Sequence, residues 1–168
     1  MSSFILSARR TPIGKLLGGL STLSAPRLAA EAIRAALTDA DVSPESVEHV
    51  ILGHVLSAGV GQAPSRQALL AAGIPATVGA MGVNKVCGSG LAAVMLADQM
   101  IRAGEAEVVV AGGMENMSQA PHLLMGQRAG WKFGNQTALD SMLHDGLWCA
   151  IEDMAMGAEA DYIAASRG

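Results

Sequence analysis

The 168-residue sequence predicts a layered α/β fold with a largely parallel sheet. Three observations lead there. Apolar runs suited to buried strands alternate with stretches of helical spacing. Glycine accounts for 20 residues of 168, against an average near 7%. Only five residues are aromatic (Phe4, Trp131, Phe133, Trp148 and Tyr162), and none falls between Ile5 and Gly130. A core without rings must be built from Ala, Val, Leu, Ile and Met, whose small side chains let helices and strands approach closely. At 51% hydrophobic and 15% charged, the chain is too apolar to be disordered. Its length suits roughly one domain, able to bury roughly 70% of its unfolded surface.

Phe4-Ile5-Leu6 reads as a short strand, followed by a loop through Gly14, Gly18 and Gly19. Ser24 is placed to cap a helix whose first turn tolerates Pro26, because the missing N–H there would have no intrahelical partner. Leu28, Ala32, Ile33, Ala36 and Leu37 keep helical spacing, and Asp39 to Pro44 ends that helix. Val50 to Val55 is a buried-strand run. Its exit, Gly59 to Pro64, opens a second helix that Gly73 and Pro75 close. A strand over about Met81 to Val86 leads into a helix from about Ser89 to Arg102, stopped by Gly104. That helix is apolar almost all round, which predicts burial on every side. Val108 to Ala111 is an uncharged strand suited to burial on both faces. After Gly113 the composition shifts to Met, Asn, Ser, Pro and His, which places a boundary near Ser118.

Eleven basic and fifteen acidic residues give a net charge of −4, with no basic cluster longer than Arg9-Arg10. That argues against a nucleic-acid surface, which needs several phosphate-facing cations. No uncharged apolar stretch reaches the roughly 18–20 residues of a membrane span. The run Met1 to Leu6 is too short for a signal peptide, and Ser166-Arg167-Gly168 is no address signal, so the cytoplasm is the default compartment. Cys87 and Cys149 lie too far apart to suggest a disulfide framework or zinc site, and both read as free thiols.

Cys87 sits where a strand gives way to a helix, within Val83-Asn84-Lys85-Val86-Cys87-Gly88-Ser89-Gly90-Leu91. A free cysteine can simply pack in a core. Here Gly88 and Gly90 remove side-chain bulk beside the sulfur, and a helix N-terminus favours a thiolate. Its field is worth only about 0.3–1 kcal/mol, and burial acts against it. An adjacent general base is therefore needed before this sulfur becomes an efficient nucleophile.

The stretch from Val83 to Val94 resembles the acyl-enzyme signature of thiolases, most closely those of the acetyl-CoA acetyltransferase branch. Ala8 to Gly14, Gly59 to Gln67 and Ala111 to Ser118 resemble three further segments of that family, and Asp145-Gly146-Leu147 with Met156-Gly157 fits its pantetheine-tunnel loops. The resemblance implies Cys87 as the acyl-accepting nucleophile and Leu147 and Met156 as pantetheine contacts. It implies acyl-CoA and CoA as substrate and product, with no separate cofactor and no metal. The implied reaction condenses two acetyl-CoA to acetoacetyl-CoA, or runs the reverse thiolysis. The implied fold has two similar α/β/α halves face to face, with a loop domain inserted in the first. Residues 1–117 then form an incomplete first half and 118–168 the start of the CoA-binding loop domain.

Family members run to more than twice this length, and their second half supplies a His base, a second Cys and an Asn for the thioester oxygen. Cys149 lacks the glycines that accompany that second Cys and reads as structural. His54 reads as a satisfied core residue, and His49, His122 and His144 as loop or element-end residues. Ala155 stands where the family's acetoacetyl branch often has His, which leaves room for a longer or branched acyl group. The partners implied are a complementing C-terminal half or further copies of the chain. The isolated polypeptide is then a catalytically incomplete fragment or split-enzyme subunit that exposes apolar surface. A competing reading from another class is a dinucleotide-binding unit. Gly88, Gly90 and Ala93 fit its glycine fingerprint, and Glu115 would be the ribose-binding acid.

Overall fold

The computed structural model describes residues 2–167, and the chain forms two compact units, Met1–Gln119 and Ala120–Gly168. The first unit is built on a three-stranded parallel sheet of β1 (His49–Gly53), β2 (Gly79–Val83) and β3 (Val109–Gly113). β1 is central, with β2 and β3 on its two sides. The register sets His49 opposite both Gly79 and Val109, and Gly53 opposite both Val83 and Gly113. All three strands therefore end level, and their exits share one edge.

Alternation along β1 divides the core. Val50 and Leu52 pack with α1 (Ala25–Asp39) and α2 (Pro64–Ala72), through Ala30, Ile33, Ala68 and Leu69. Ile51 faces the other way, onto Ala93 and Ala97 of α3 (Ser89–Ala103). The first unit is thus an α/β/α sandwich, as the strand–helix alternation predicts. Burial of each large aliphatic side chain in it contributes about 1.5–3 kcal/mol. Helix ends follow the sequence signals. Gly73 and Gly104 adopt left-handed caps after α2 and α3, and Pro26 lies in the first turn of α1. Ser24 takes the N-cap position of α1, but its hydroxyl makes no capping bond.

Three expectations are corrected. Phe4-Ile5-Leu6 is not a strand: no strand among the described residues runs beside it, and its side chains are exposed. Polar side chains tether this segment instead, with Ser3 bonded to Asp98, and Ser7 and Arg9 bonded to Asp39. Second, α3 is not buried on every side. Ala93 and Ala97 are buried, whereas Leu91, Val94 and Met95 are 68%, 38% and 53% exposed. The sheet covers one face of the helix, and among the described residues no further layer of this unit covers the other. Third, Val109 to Ala111 are half-buried rather than buried on both faces, because β3 is an edge strand.

In the second unit, β4 (His122–Leu124) pairs antiparallel with β5 (Ala138–Asp140). Ser141 is buried and directs both its N–H and its hydroxyl at the Pro121 carbonyl, at 3.1 and 2.6 Å. A wide helical turn, Met142–Leu147, leads into a short hairpin of β6 (Trp148–Cys149) and β7 (Met154–Ala155), and α4 (Met156–Arg167) follows. Among the described residues no helix is long and apolar enough to cross a membrane.

Candidate active site

The level C-terminal edge of the parallel sheet is where α/β proteins place ligands, and here it carries the turn that holds Cys87. β2 ends at Val83, whose carbonyl accepts the His54 N–H at 3.0 Å. Asn84 Oδ1 then accepts the Val86 N–H at 2.9 Å. Val86 has φ 48°, a left-handed conformation that in a non-glycine residue costs about 1–3 kcal/mol and is least tolerable when the side chain is β-branched. Surrounding bonds hold it there. The Gly88 N–H donates to Lys85 O at 3.0 Å and the Ser89 N–H to Val86 O at 3.1 Å. Ser89 Oγ accepts the Lys85 N–H at 2.8 Å and donates to Val86 O at 2.6 Å.

Cys87 is an exposed free thiol at the tip of this turn, immediately before Gly88, the N-cap of α3. The strand predicted to reach Val86 stops at Val83 because Asn84 and Val86 form this turn. Gly88 has φ −86° and Gly90 has no positive φ, so what these glycines supply is space rather than conformational freedom. Gly53 has a stricter reason. A Cβ at this position would lie 2.4 Å from the Ser89 carbonyl carbon and 2.6 Å from Gly90 N. Only glycine lets the first turn of α3 rest on the end of β1.

His54 and Glu115 leave β1 and β3 on the same edge. His54 is buried, with Nε2 at 3.2 Å from Glu115 Oε1. This is ion-pair reach without the alignment of a hydrogen bond, since Nε2 has no hydrogen-bond partner. Glu115 Oε2 accepts the Val55 N–H at 3.0 Å, and the carboxylate also takes the Leu56 N–H at 3.3 Å. Burial pushes the Glu115 carboxyl up, but the adjacent His54 ring and the two backbone N–H groups outweigh it and hold the carboxyl below its ordinary range. Two backbone N–H groups and the His54 ring thus already engage the carboxylate that the dinucleotide reading would assign to a ribose hydroxyl.

Leu147 and Met156 belong to the second unit. Trp148 pairs with Ala155 and Cys149 with Met154, so Leu147 and Met156 occupy the next facing positions, at the open end of the hairpin. Both are about two-fifths exposed. Cys149 is half-buried and its sulfur accepts the Glu152 N–H at 3.5 Å, while His144 Nδ1 lies 2.7 Å from Asp145 Oδ1. Among the described residues no group of His, Cys, Asp and Glu could hold a metal ion. Sequence reasoning did not assign a role to Ser89 or to the His54–Glu115 pair. The signal for Ser89 was a serine two residues after a cysteine at a helix start, where its hydroxyl can bond nearby backbone.

A turn that presents an exposed cysteine at the C-terminal edge of a parallel sheet and leads into a helix defines an α/β protein with the strand–turn–helix arrangement that can build a site between strand exits and a helix N-terminus. The family model described as thiolase, N-terminal domain, matches residues 3–168. An acetyl-CoA acetyltransferase of Cupriavidus necator is 54% identical over 98% of this chain and 42% of its own length. A probable acetyl-CoA acetyltransferase of Mycolicibacterium smegmatis is 54% identical over 92% of the chain and 40% of its own length. Acetyl-CoA acetyltransferase 2 of Arabidopsis thaliana is 51% identical over 95% and 40%. The chain belongs to the thiolase family, and it spans about two-fifths of the length of these relatives.

Proposed function

We propose that this chain carries the acyl-accepting half of a thiolase. Cys87 Sγ attacks the carbonyl carbon of an acyl-CoA, the C–S bond to CoA breaks, and CoA leaves as a thiol after taking up a proton. The α-carbon of a second acetyl-CoA, once deprotonated, attacks the enzyme thioester to form acetoacetyl-CoA and release Cys87. Thiolysis by free CoA is the reverse. Sulfur suits both directions because nucleophile and leaving group are thiols of similar basicity. The observation that supports this reading best is the exposed Cys87 at a hydrogen-bonded turn before α3, in a chain of this family.

Residues 118–168 then begin the CoA-binding loop domain, with Leu147 and Met156 against pantetheine, and Ala155 leaving room for acyl groups longer than acetyl. His54 is buried against Glu115 and His144 lies against Asp145, and by the family resemblance the second half would supply the His base, the second Cys and the Asn. Incubation with acetyl-CoA, followed by intact-mass measurement and peptide mapping, tests the assignment. Acetylation at Cys87 that is lost in Cys87→Ser supports it, and labelling only at Cys149, or at neither thiol, counts against it. Adding the C-terminal half of a relative in trans tests whether turnover needs that half.

A further inference from the structure

Ser89 is 4% exposed, and every polar bond of its side chain points back across the cysteine. Its Oγ accepts from Lys85 N and donates to Val86 O, so one hydroxyl closes the backbone on the N-terminal side of Cys87 while its own residue begins α3. The turn so closed contains Val86 at φ 48°. A β-branched residue would leave that conformation for the β region if released. Among the described residues the only other side chain bonded to this turn is Asn84, which holds the Val86 N–H but not its carbonyl. Ser89 itself cannot drift, because the first turn of α3 is seated against Gly53 with no room for even a methyl group between them.

We propose that Ser89 is a positioning residue for the nucleophile. Its hydroxyl holds the Val86 peptide in the left-handed turn and so presents the Cys87 sulfur at the N-terminus of α3. This rests on the reading of Cys87 as the acyl acceptor. Alanine at 89 keeps the Ser89 N–H bond to Val86 O but leaves the Lys85 N–H without its acceptor, so the turn opens without loss of the sandwich.

The test is a two-by-two set of Ser89→Ala and Val86→Gly in the full chain, read by amide hydrogen exchange and by acetylation of Cys87 from acetyl-CoA. In Ser89→Ala, exchange in the 84–88 segment should accelerate by about tenfold or more while α3 keeps its protection. Cys87 acetylation should fall about tenfold relative to wild type. Glycine adopts the left-handed turn without strain, so in the Val86→Gly background the same serine substitution should cost less than about threefold. Unchanged exchange at 84–88 in Ser89→Ala overturns the proposal, as does an equal acetylation loss in both backgrounds. If Ser89→Ala loses protection throughout, the double variant decides. A folded double variant with wild-type protection at 84–88 supports the role, and an unfolded one overturns it. Absence of acetylation at Cys87 in the wild type even with the C-terminal half of a relative added in trans defeats the nucleophile reading instead, and the exchange data still report whether Ser89 holds the turn.

Discussion

His54 Nε2 and Glu115 Oε1 lie 3.2 Å apart where β1 and β3 leave the sheet, and the same carboxylate caps the N–H groups of Val55 and Leu56. Glu115 thereby ties the exit of the central strand β1 to that of β3, and β1 is the strand beside β2, from which the Cys87 turn leaves. Its folded carboxyl is held below the ordinary value of 4.5. A depressed carboxyl stabilises fully above the unfolded value, and that contribution is lost as pH falls through the folded value. Glu115→Ala, which leaves two backbone donors and the His54 ring without the carboxylate, should cost about 1–3 kcal/mol at pH 7. Glu115→Gln should cost less. Urea unfolding as a function of pH should show the gap between wild type and Glu115→Gln constant near neutrality and closing below about pH 4.5. A gap that persists unchanged to the acid limit would contradict the assignment.

Gly53 and Gly79 offer a matched comparison within the same sheet. A Cβ at Gly53 meets backbone atoms of Ser89 and Gly90 at 2.4 and 2.6 Å, whereas one at Gly79 meets the His49 ring at 2.8 Å. Backbone in a helix start cannot step aside, but a ring at the end of a flexible side chain can. Gly53→Ala should therefore destabilise by about 1–3 kcal/mol or more through overpacking. Gly79→Ala should stay within about 1 kcal/mol of wild type, since the clash is relieved cheaply and the unfolded chain loses freedom. Thermal melts of the two variants decide it, and equal losses would show that the seat of α3 on β1 is not rigid.

Local signals carried the sandwich further than its boundaries. Apolar runs marked β1 and β3, left-handed glycines ended α2 and α3, and the alternation of these elements implied the parallel order. What failed has a common cause. The apolar residues of Phe4 to Leu6 and of the outer face of α3 describe what the chain is suited to pack against, and periodicity is silent on whether that surface is present. Val86 was counted as strand for the same reason, since hydrophobicity does not report a backbone at φ 48°. The cysteine was legible because its neighbours form a specific motif. Its supporting bonds were not, because Ser89 acts on Lys85 and Val86 through backbone atoms that no residue pattern encodes.

The exposed face of α3 makes a separate claim about association. Leu91, Val94 and Met95 stand on one side of the helix, all at least 38% exposed. A contiguous apolar surface of this kind drives association. Lysine at Val94 and Met95 together should reduce self-association in sedimentation experiments. Since neither residue belongs to the buried core, unfolding free energy should change by no more than about 0.5 kcal/mol. If this face receives the complementing half, the same double variant should also abolish rescue by that half in trans. Undiminished self-association together with intact rescue would place the contact elsewhere.

Ala155 is half-buried in β7 and pairs with Trp148 across the hairpin whose open end carries Leu147 and Met156. The proposed CoA-thioester chemistry puts this hairpin at the acyl pocket, where the missing imidazole at 155 would leave a volume that acetyl does not fill. Each added methylene in an apolar pocket is worth about 1–3 kcal/mol in specificity. The complemented enzyme should therefore accept longer or branched acyl-CoA at parity with acetyl-CoA or better, compared as kcat/KM. Ala155→His should move that ratio toward acetyl by about tenfold or more, and it should do so without altering acetylation of Cys87 by acetyl-CoA itself. Strict acetyl selectivity in the unmodified chain would show that position 155 does not shape the acyl pocket, and the pantetheine assignments of Leu147 and Met156 would then have to be tested by their own substitutions.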